Sequence, residues 1–432
     1  MQNAFPAFPP GLRHSLTHRI ATAEIAAVAA ILGTGDPALS PRAAAALMTR
    51  LLVTRFPGRG TRLLREDFRY AGELAEGDLV ELSAEVAAPG TAGGLLVRCA
   101  VRQSDGTAVL EGVAEVLPPD APATLPDSPF GTQPRRMMDH LLGLCRGRPA
   151  VPTAVVHPCD VASLEGAVLA ARHGLIEPIL VGPEARIRTA AEQGGLDIAG
   201  LALVAAPHSH ASAERAVAEV ATGRAAALMK GSLHTDELLS AALARAAGLR
   251  TERRVSHAFV MDAPLYPRLL IITDAAINIA PDLEAKADIV RNAIGLAAAI
   301  GVDLPKVAIL SAVETVTPRM ASTLEAAALC KMADRGQIVG GLLDGPLAFD
   351  NAVSEAAART KGIVSAVAGR ADVLVVPDIE SGNMLAKQLA LLGGAESAGI
   401  VLGLRVPVAL TSRSDDAASR LASAALLRVM AE

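Results

Sequence analysis

The sequence has no tryptophan, two tyrosines and seven phenylalanines in 432 residues. Single-stranded nucleic acids are held largely by stacking bases on aromatic rings, so that mode of binding has little to work with here. An excess of charge of one sign is also missing: 40 Lys and Arg face 45 Asp and Glu, for a net charge of −5. So balanced a chain has no general attraction for nucleic acid or an anionic membrane, and an anionic ligand must be held by a local group of cations. The four cysteines, Cys99, Cys145, Cys159 and Cys330, are widely separated and lack metal-ligand spacing. They read as reduced thiols of a cytoplasmic protein with no bound metal. No apolar run reaches the roughly 18 residues of a membrane span, and residues 1–19 lack a basic patch followed by an apolar core, so neither export nor anchoring is expected. There is no Gly-x-x-x-x-Gly-Lys-Ser run, and no Gly-x-Gly-x-x-Gly follows a strand, which argues against nucleoside triphosphate and dinucleotide binding.

What is abundant is apolar: 51% of residues are hydrophobic and 20% charged, enough for two or three well-packed domains. Residues 1–117 form one expected unit. Helical periodicity covers Thr22 to Leu32 and Arg42 to Thr54, and after Phe56-Pro57-Gly58-Arg59-Gly60-Thr61 the period changes to two. Strands are expected at 62–68, 79–86, 95–102 and 108–116, the last two joined by a Ser104-Asp105-Gly106 turn. A helix laid on a curved antiparallel sheet is the economical architecture. The prolines of residues 118–134 make that stretch a linker. From Arg135 onward strands and helices alternate, with buried-strand candidates at 154–156, 178–181, 225–229, 268–272, 306–310, 372–376, 399–402 and 406–410. That is the pattern of an α/β domain with a mostly parallel sheet and ligands at the carboxyl ends of its strands. Its size suggests two lobes, 135–262 with 397–432 and 263–396, flanking a cleft.

Two stretches have the form of strand, polar turn and helix: Ile338 to Asp350 and Val406 to Asp416. In the second, a helix starting near Asp415 directs unpaired backbone N–H groups toward Ser412 and Arg413, a pocket for a phosphate. Asp415 and Asp416 are cap residues on the plain reading and a catalytic base on the sharper one. Lys230-Gly231 closes a strand and Thr235 opens the following helix, where a Gly allows close backbone approach to a ligand and Lys adds a point charge. Asp344-Gly345-Pro346 and Asp350 read as turn and cap chemistry first and as site residues second. Ser381-Gly382-Asn383, with Lys387 one helical turn on, reads as another strand-to-helix loop. His157, His208, His210 and His257 show no metal spacing and read as ordinary.

Residues 140–432 resemble the phosphate acetyl/butyryltransferase family, its butyryl branch more than its acetyl branch. The resemblance rests on Met229-Lys230-Gly231 with Thr235, Ser256-His257, Ile309 to Glu314, Met332 to Gln337, Leu343 to Asp350, Val376-Pro377-Asp378, Ser381-Gly382-Asn383 and Thr411-Ser412-Arg413. It implies a two-lobed α/β fold similar to the isocitrate dehydrogenase type. It also implies reversible transfer of a short acyl group, acetyl or butyryl, between CoA and inorganic phosphate through a ternary complex. CoA is then a substrate, and no cofactor is permanently bound. In the family a Ser-Arg pair holds the phosphoryl group and a nearby Asp takes the CoA thiol proton. Ser412 and Arg413 match the pair. The acetyl-type enzymes place the Asp further along, after Ser-Arg-Gly-Cys, whereas Ser414-Asp415-Asp416 follows at once here; Asp415 is the preferred base, with Asp416 open. Lys230, Gly231, Thr235, Asp344, Asn383, Lys387 and Thr411 are the expected substrate-binding residues.

Residues 15–117 resemble MaoC-like hot-dog domains of the R-specific enoyl-CoA hydratase type, through residues 56–61, Gly77-Asp78 and Glu111 to Val116. The fused pair is similar to bifunctional enoyl-CoA hydratase/phosphate acetyltransferase proteins. The family's Gly-Asp-x-Asn-Pro-Ile-His run has its only counterpart at Gly35-Asp36-Pro37-Ala38-Leu39, where no histidine follows. Asp36 alone supplies no acid/base pair around a water, so this half is expected to be a remnant without hydratase activity, serving assembly of a homo-oligomer or docking. Two other readings remain: a non-catalytic acyl-CoA- or phosphate-binding regulator, and a metal-dependent dehydrogenase on the related fold, for which no obvious Asp cluster is visible.

Overall fold

The computed structural model describes residues 8–20, 28, 41–58, 60–75, 77–119, 136–412 and 415–431. The expected helix over 22–32 lies outside the described residues save for Val28, as do Asp36, most of the linker, Arg413 and Ser414. The chain divides into two compact units, Met1–Pro134 and Arg135–Glu432.

In the first unit β1 (Arg13–Arg19), β2 (Arg62–Tyr70), β3 (Leu79–Pro89), β4 (Leu95–Gln103) and β5 (Ala108–Leu117) form an antiparallel sheet in the order β1-β3-β4-β5-β2. Alternation sends Val80, Leu82, Ala84 and Val86 of β3 and Val97, Cys99 and Val101 of β4 to one buried face. Ala44, Met48, Leu51 and Leu52 of α1 (Pro41–Thr54) close on it, spaced to form one helical stripe. The other face carries cross-strand ion pairs, Arg13 to Glu81, Arg98 to Glu85 and Arg102 to Glu111. This is the helix-on-sheet arrangement that the hot-dog resemblance implies. The turn between β4 and β5 is held by a Thr107 N–H donating to Asp105 Oδ1 at 2.9 Å. Sequence reading misses β1, because an edge strand reading Arg-His-Ser-Leu-Thr-His-Arg pairs through its backbone and shows no apolar alternation.

The second unit begins with α2 (Arg136–Cys145) and runs β6 (Val151–Val156), α3 (Val161–Arg172), β7 (Ile176–Gly182), α4 (Glu184–Gly194), β8 (Ala202–Ala205), α5 (Ser209–Ala221), β9 (Ala227–Lys230) and α6 (Thr235–Leu243). It continues through β10 (Ser256–Asp262), β11 (Leu270–Thr273), α7 (Leu283–Ala299), β12 (Lys306–Leu310), α8 (Ala321–Asp334), β13 (Leu342–Leu347), α9 (Phe349–Val353) and α10 (Glu355–Thr360). It ends with β14 (Val373–Val375), α11 (Ile379–Leu391), β15 (Glu396–Leu402), β16 (Val408–Ala409) and α12 (Ala417–Met430).

These strands form one eleven-stranded sheet in the order β13-β12-β14-β11-β10-β15-β16-β9-β6-β7-β8. The segments expected as two lobes therefore share a single sheet. On one face the core is continuous from Leu164 and Leu426 to Ile289 and Leu329. On the other it splits into a cluster around Leu228, Val401 and Leu238 and another around Ile272, Leu310 and Leu374. The pairing is parallel except at the centre, where β10 runs antiparallel to both β11 and β15, and β15 to β16. Three antiparallel steps reverse direction, so β11–β14 run opposite to β6–β9 and β16. The register sets Thr273, the last residue of β11, level with Ala258, Ile400, Ala409 and Met229. The two groups of carboxyl ends thus lie at one height of the sheet and face opposite ways.

Two local expectations change. Asp344-Gly345-Pro346 is not a turn but part of β13. Ser381-Gly382-Asn383 is not a loop but lies inside α11, capped by Asp378, whose side chain accepts from the Ser381 N–H at 2.8 Å.

Candidate active site

Three neighbouring parallel strands, β6, β9 and β16, end in loops that lock together. The Gly231 N–H donates to Val156 O at 2.9 Å, and the Ser232 N–H and Oγ both donate to His157 O, at 3.0 and 2.9 Å. Ser232 Oγ in turn accepts from the Cys159 N–H at 3.2 Å. A Cβ on residue 231 would stand 2.4 Å from Val156 O and 2.7 Å from His157 O, so backbone packing by itself requires glycine there. His157 takes a left-handed φ of 58° in this turn, and its Nδ1 lies 2.9 Å from Ser212 Oγ. Burial, helped by Arg186, keeps its ring below the usual histidine range.

Lys230 ends β9 and is 3% exposed; its Nζ donates to Thr411 O at 3.3 Å. Beyond Thr411 the chain turns so that the Ser412 N–H donates to Asp415 Oδ2 at 2.7 Å and the Asp415 N–H to Ser412 O at 3.3 Å. Burial pushes the Asp415 carboxyl above the usual range; the Ser412 N–H, Arg420 and Lys230 act in the other direction, and Asp416 adds to the rise. Asp416 itself is the cap of α12 and accepts from the Ser419 N–H at 2.8 Å. The two aspartates that sequence leaves open are thereby told apart by geometry: one carboxylate faces the loop, the other closes a helix.

Lys230, Gly231, Thr411, Ser412 and Asp415 come together, with Thr235 opening α6 four residues past Gly231. Asp344 does not join them. It sits on β13, six strands from β16 in the sheet order, or roughly 29 Å at about 4.8 Å per strand. Asn383 and Lys387 also belong to the other half: Asn383 Nδ2 donates to Ala275 O at 3.2 Å, just after β11, and Lys387 is exposed on α11. β11 stands three strands from β16, roughly 14 Å away. Arg413 lies outside the described residues.

Arg420 is the residue that sequence reading passes over. It lies on α12, is 1% exposed, and its guanidinium reaches Thr411, Ser412 and Asp415. An Arg in the first turn of a helix carries no signal in the sequence, since a cation is disfavoured beside the positive end of the helix dipole. The histidines divide: His208 caps α5, whereas His257, fully buried against Phe259 with ring centroids 4.5 Å apart, is held down to about 4 by burial. Burial drives the thiols the other way, Cys159 to about 11 and Cys99 and Cys330 to about 12, so these three offer no ready thiolate. Among the described residues no group of three His, Cys, Asp or Glu could hold a metal ion, and no helix is long and apolar enough to cross a membrane.

Residues 209–427 match the family model described as phosphate acetyl/butaryl transferase. The phosphate acetyltransferase of Rhizobium meliloti is 60% identical over 293 residues, 68% of this chain and 93% of that protein. The phosphate butyryltransferase of Clostridium acetobutylicum is 42% identical over 278 residues, 64% of this chain and 92% of that one. Among solved structures, a branched-chain phosphotransacylase from Enterococcus faecalis V583 superposes with a TM-score of 0.57 at 32% identity, over 65% of this chain and all of that one. With a family model over half its length and relatives at this identity, the chain belongs to the phosphate acetyl/butyryl transferase family.

Proposed function

We propose that this protein moves a short acyl group reversibly between CoA and inorganic phosphate at the loop running from Thr411 to Asp415. The observation that carries the reading is the pairing of a half-buried carboxylate, Asp415, with the Ser412 N–H, beside the buried Lys230, at the family's Thr-Ser-Arg motif. A thiol of pKa about 8.5, taking cysteine as its guide, is mostly protonated at neutral pH. Asp415 takes that proton as sulfur attacks the carbonyl carbon of the acyl phosphate. The resulting oxyanion collapses, the bond from carbon to the bridging oxygen breaks, and phosphate leaves. A carboxylate whose affinity for protons is raised by burial suits this task better than an exposed one.

Ser412 and Arg413 hold the phosphoryl group, and Lys230, Gly231, Thr235 and Thr411 form the wall behind it. One oxyanion donor of this kind is typically worth about 3 kcal/mol of barrier. Both substrates are present together, so no acyl-enzyme forms. Asp344 in β13 and Asn383 and Lys387 in α11, all in the oppositely directed half of the sheet, are candidates for the remainder of CoA. We place the enzyme in the cytoplasm as a homo-oligomer, acting on small molecules alone, with its N-terminal unit in a structural role.

Relatives carry both the acetyl and the butyryl name, the former at the higher identity. The test is a panel of acyl phosphates of two to five carbons with CoA, following thioester formation by absorbance. Acetyl phosphate is expected to lead. Binding of CoA without turnover of any member of the panel would instead mark a regulatory binding protein.

A further inference from the structure

We propose that Arg420 is a positioning residue for acyl transfer: from inside α12 it holds the loop from Thr411 to Asp415 in the shape in which the Ser412 N–H fixes the Asp415 carboxylate in place for the thiol. The inference rests on the function proposed above and names a part of the site that touches no substrate.

Three contacts define it. Arg420 Nη1 donates to Thr411 Oγ1 at 3.0 Å, Nη2 to Ser412 O at 3.1 Å, and Nε to Asp415 O at 3.3 Å. One rigid, planar, permanently charged group thus ties both ends of the loop to the helix that follows it. The side chain is 1% exposed and is the bulkiest of the fully buried ones among the described residues. Its stem is fixed from behind by α3, where a Cβ on Gly166 would lie 2.8 Å from Arg420 Cβ and 2.9 Å from its Cδ. The position also runs against the helix dipole, which disfavours a cation in the first turn. The loop oxygens compensate for that, and a residue chosen only for helix stability or packing at this depth would be apolar. Four features face the Asp415 carboxylate: Arg420 and Asp416 from its own segment, Lys230 from β9, and the Ser412 N–H. Arg420 is therefore one of two cations that oppose the rise which burial imposes on this carboxyl.

The test uses the full chain and steady-state kinetics with acetyl-CoA and phosphate, for Arg420→Lys, Arg420→Met and Gly166→Ala. Lysine offers no planar fork and cannot serve all three oxygens, so kcat is expected to fall by at least about tenfold and KM for phosphate to rise. Methionine removes the charge, and the acidic limb of the pH profile of kcat/KM should move to higher pH. Gly166→Ala touches neither loop nor substrate, yet its methyl displaces the Arg420 stem, so it should lower kcat and raise KM for phosphate, beyond the lower melting temperature that overpacking the contact between α3 and α12 brings. A purely structural Arg420 would change the melting temperature or the active fraction while leaving KM for phosphate and the pH profile alone. That result in Arg420→Lys and Gly166→Ala overturns the inference, and if the Arg420 variants do not fold, Gly166→Ala decides it alone. Absence of phosphate-dependent transfer in the wild type overturns the proposed function, and this inference with it.

Discussion

Replacing His257 with leucine isolates one buried titration. The imidazole is fully buried on β10, edge-on to Phe259, and neither ring nitrogen has a well-formed hydrogen bond among the described residues. Charging it there is opposed by the loss of water, and the Asp274 carboxylate and Leu410 carbonyl offset only part of that cost, leaving the group at about 4 instead of the ordinary 6.5. Because the folded-state value lies below the unfolded one, the unfolded chain binds the proton first as pH falls. The stability held by neutral His257 is fully present above pH 6.5 and is lost as pH drops toward 4. At about 1.4 kcal/mol per unit the whole effect is about 3 kcal/mol, with roughly 2 kcal/mol already lost at pH 5. Leucine does not titrate. Urea unfolding followed by far-ultraviolet circular dichroism at pH 7.5, 6 and 5 should therefore show the wild type losing roughly 2 kcal/mol relative to His257→Leu across that range. A difference between the two proteins that stays constant with pH would refute the reasoning and mean that the ring is charged or solvated in the fold.

Further outcomes concern the site and the N-terminal unit. Asp415→Asn keeps a polar group beside the Ser412 N–H but removes the base, so kcat should fall by about 10² to 10⁴. Its melting temperature at pH 7 should not drop, because a carboxylate partly desolvated by burial is gone; an active Asp415→Asn would transfer the base role to Asp416. Gly231→Val forces a side chain into the Val156 and His157 carbonyls, and loss of more than about 2 kcal/mol in urea unfolding is expected, together with loss of activity. A stable, active Gly231→Val would mean that the loops of β6 and β9 are not locked as described. Crotonyl-CoA incubated with the intact chain should show no loss of its enoyl absorbance, while hydration abolished by Asp36→Asn would restore catalysis to the N-terminal unit.

Periodicity carries far in this chain because most strands are short apolar runs bounded by Gly, Pro or charge; the runs ending at Val156, Lys230 and Leu310 are visible for that reason. β1, β8 and β10 escape it. The first is a polar edge strand, the second is four residues long, and the third carries a buried histidine where the pattern calls for an apolar residue. Sheet direction is also hidden, since reversal at β10 and β15 depends on pairing and leaves no local mark. That reversal is why Asp344, inside β13, and Asn383, in the helix that follows β14, belong to strands running opposite to the one that precedes Ser412. Within the site, Ser412 and Asp415 are legible from a strand, a polar turn and a helix start. Arg420 is not, because its role comes from folding back across one helical turn onto the loop before it.

The claim that most of this rests on is direct transfer between CoA and phosphate at the loop from Thr411 to Asp415. Mixing the intact protein with acetyl-CoA and following free thiol with a chromogenic reagent tests it most directly. Thiol release is expected only after phosphate is added, with one acetyl phosphate formed for each thiol. No release, or release at the same rate without phosphate, would contradict it.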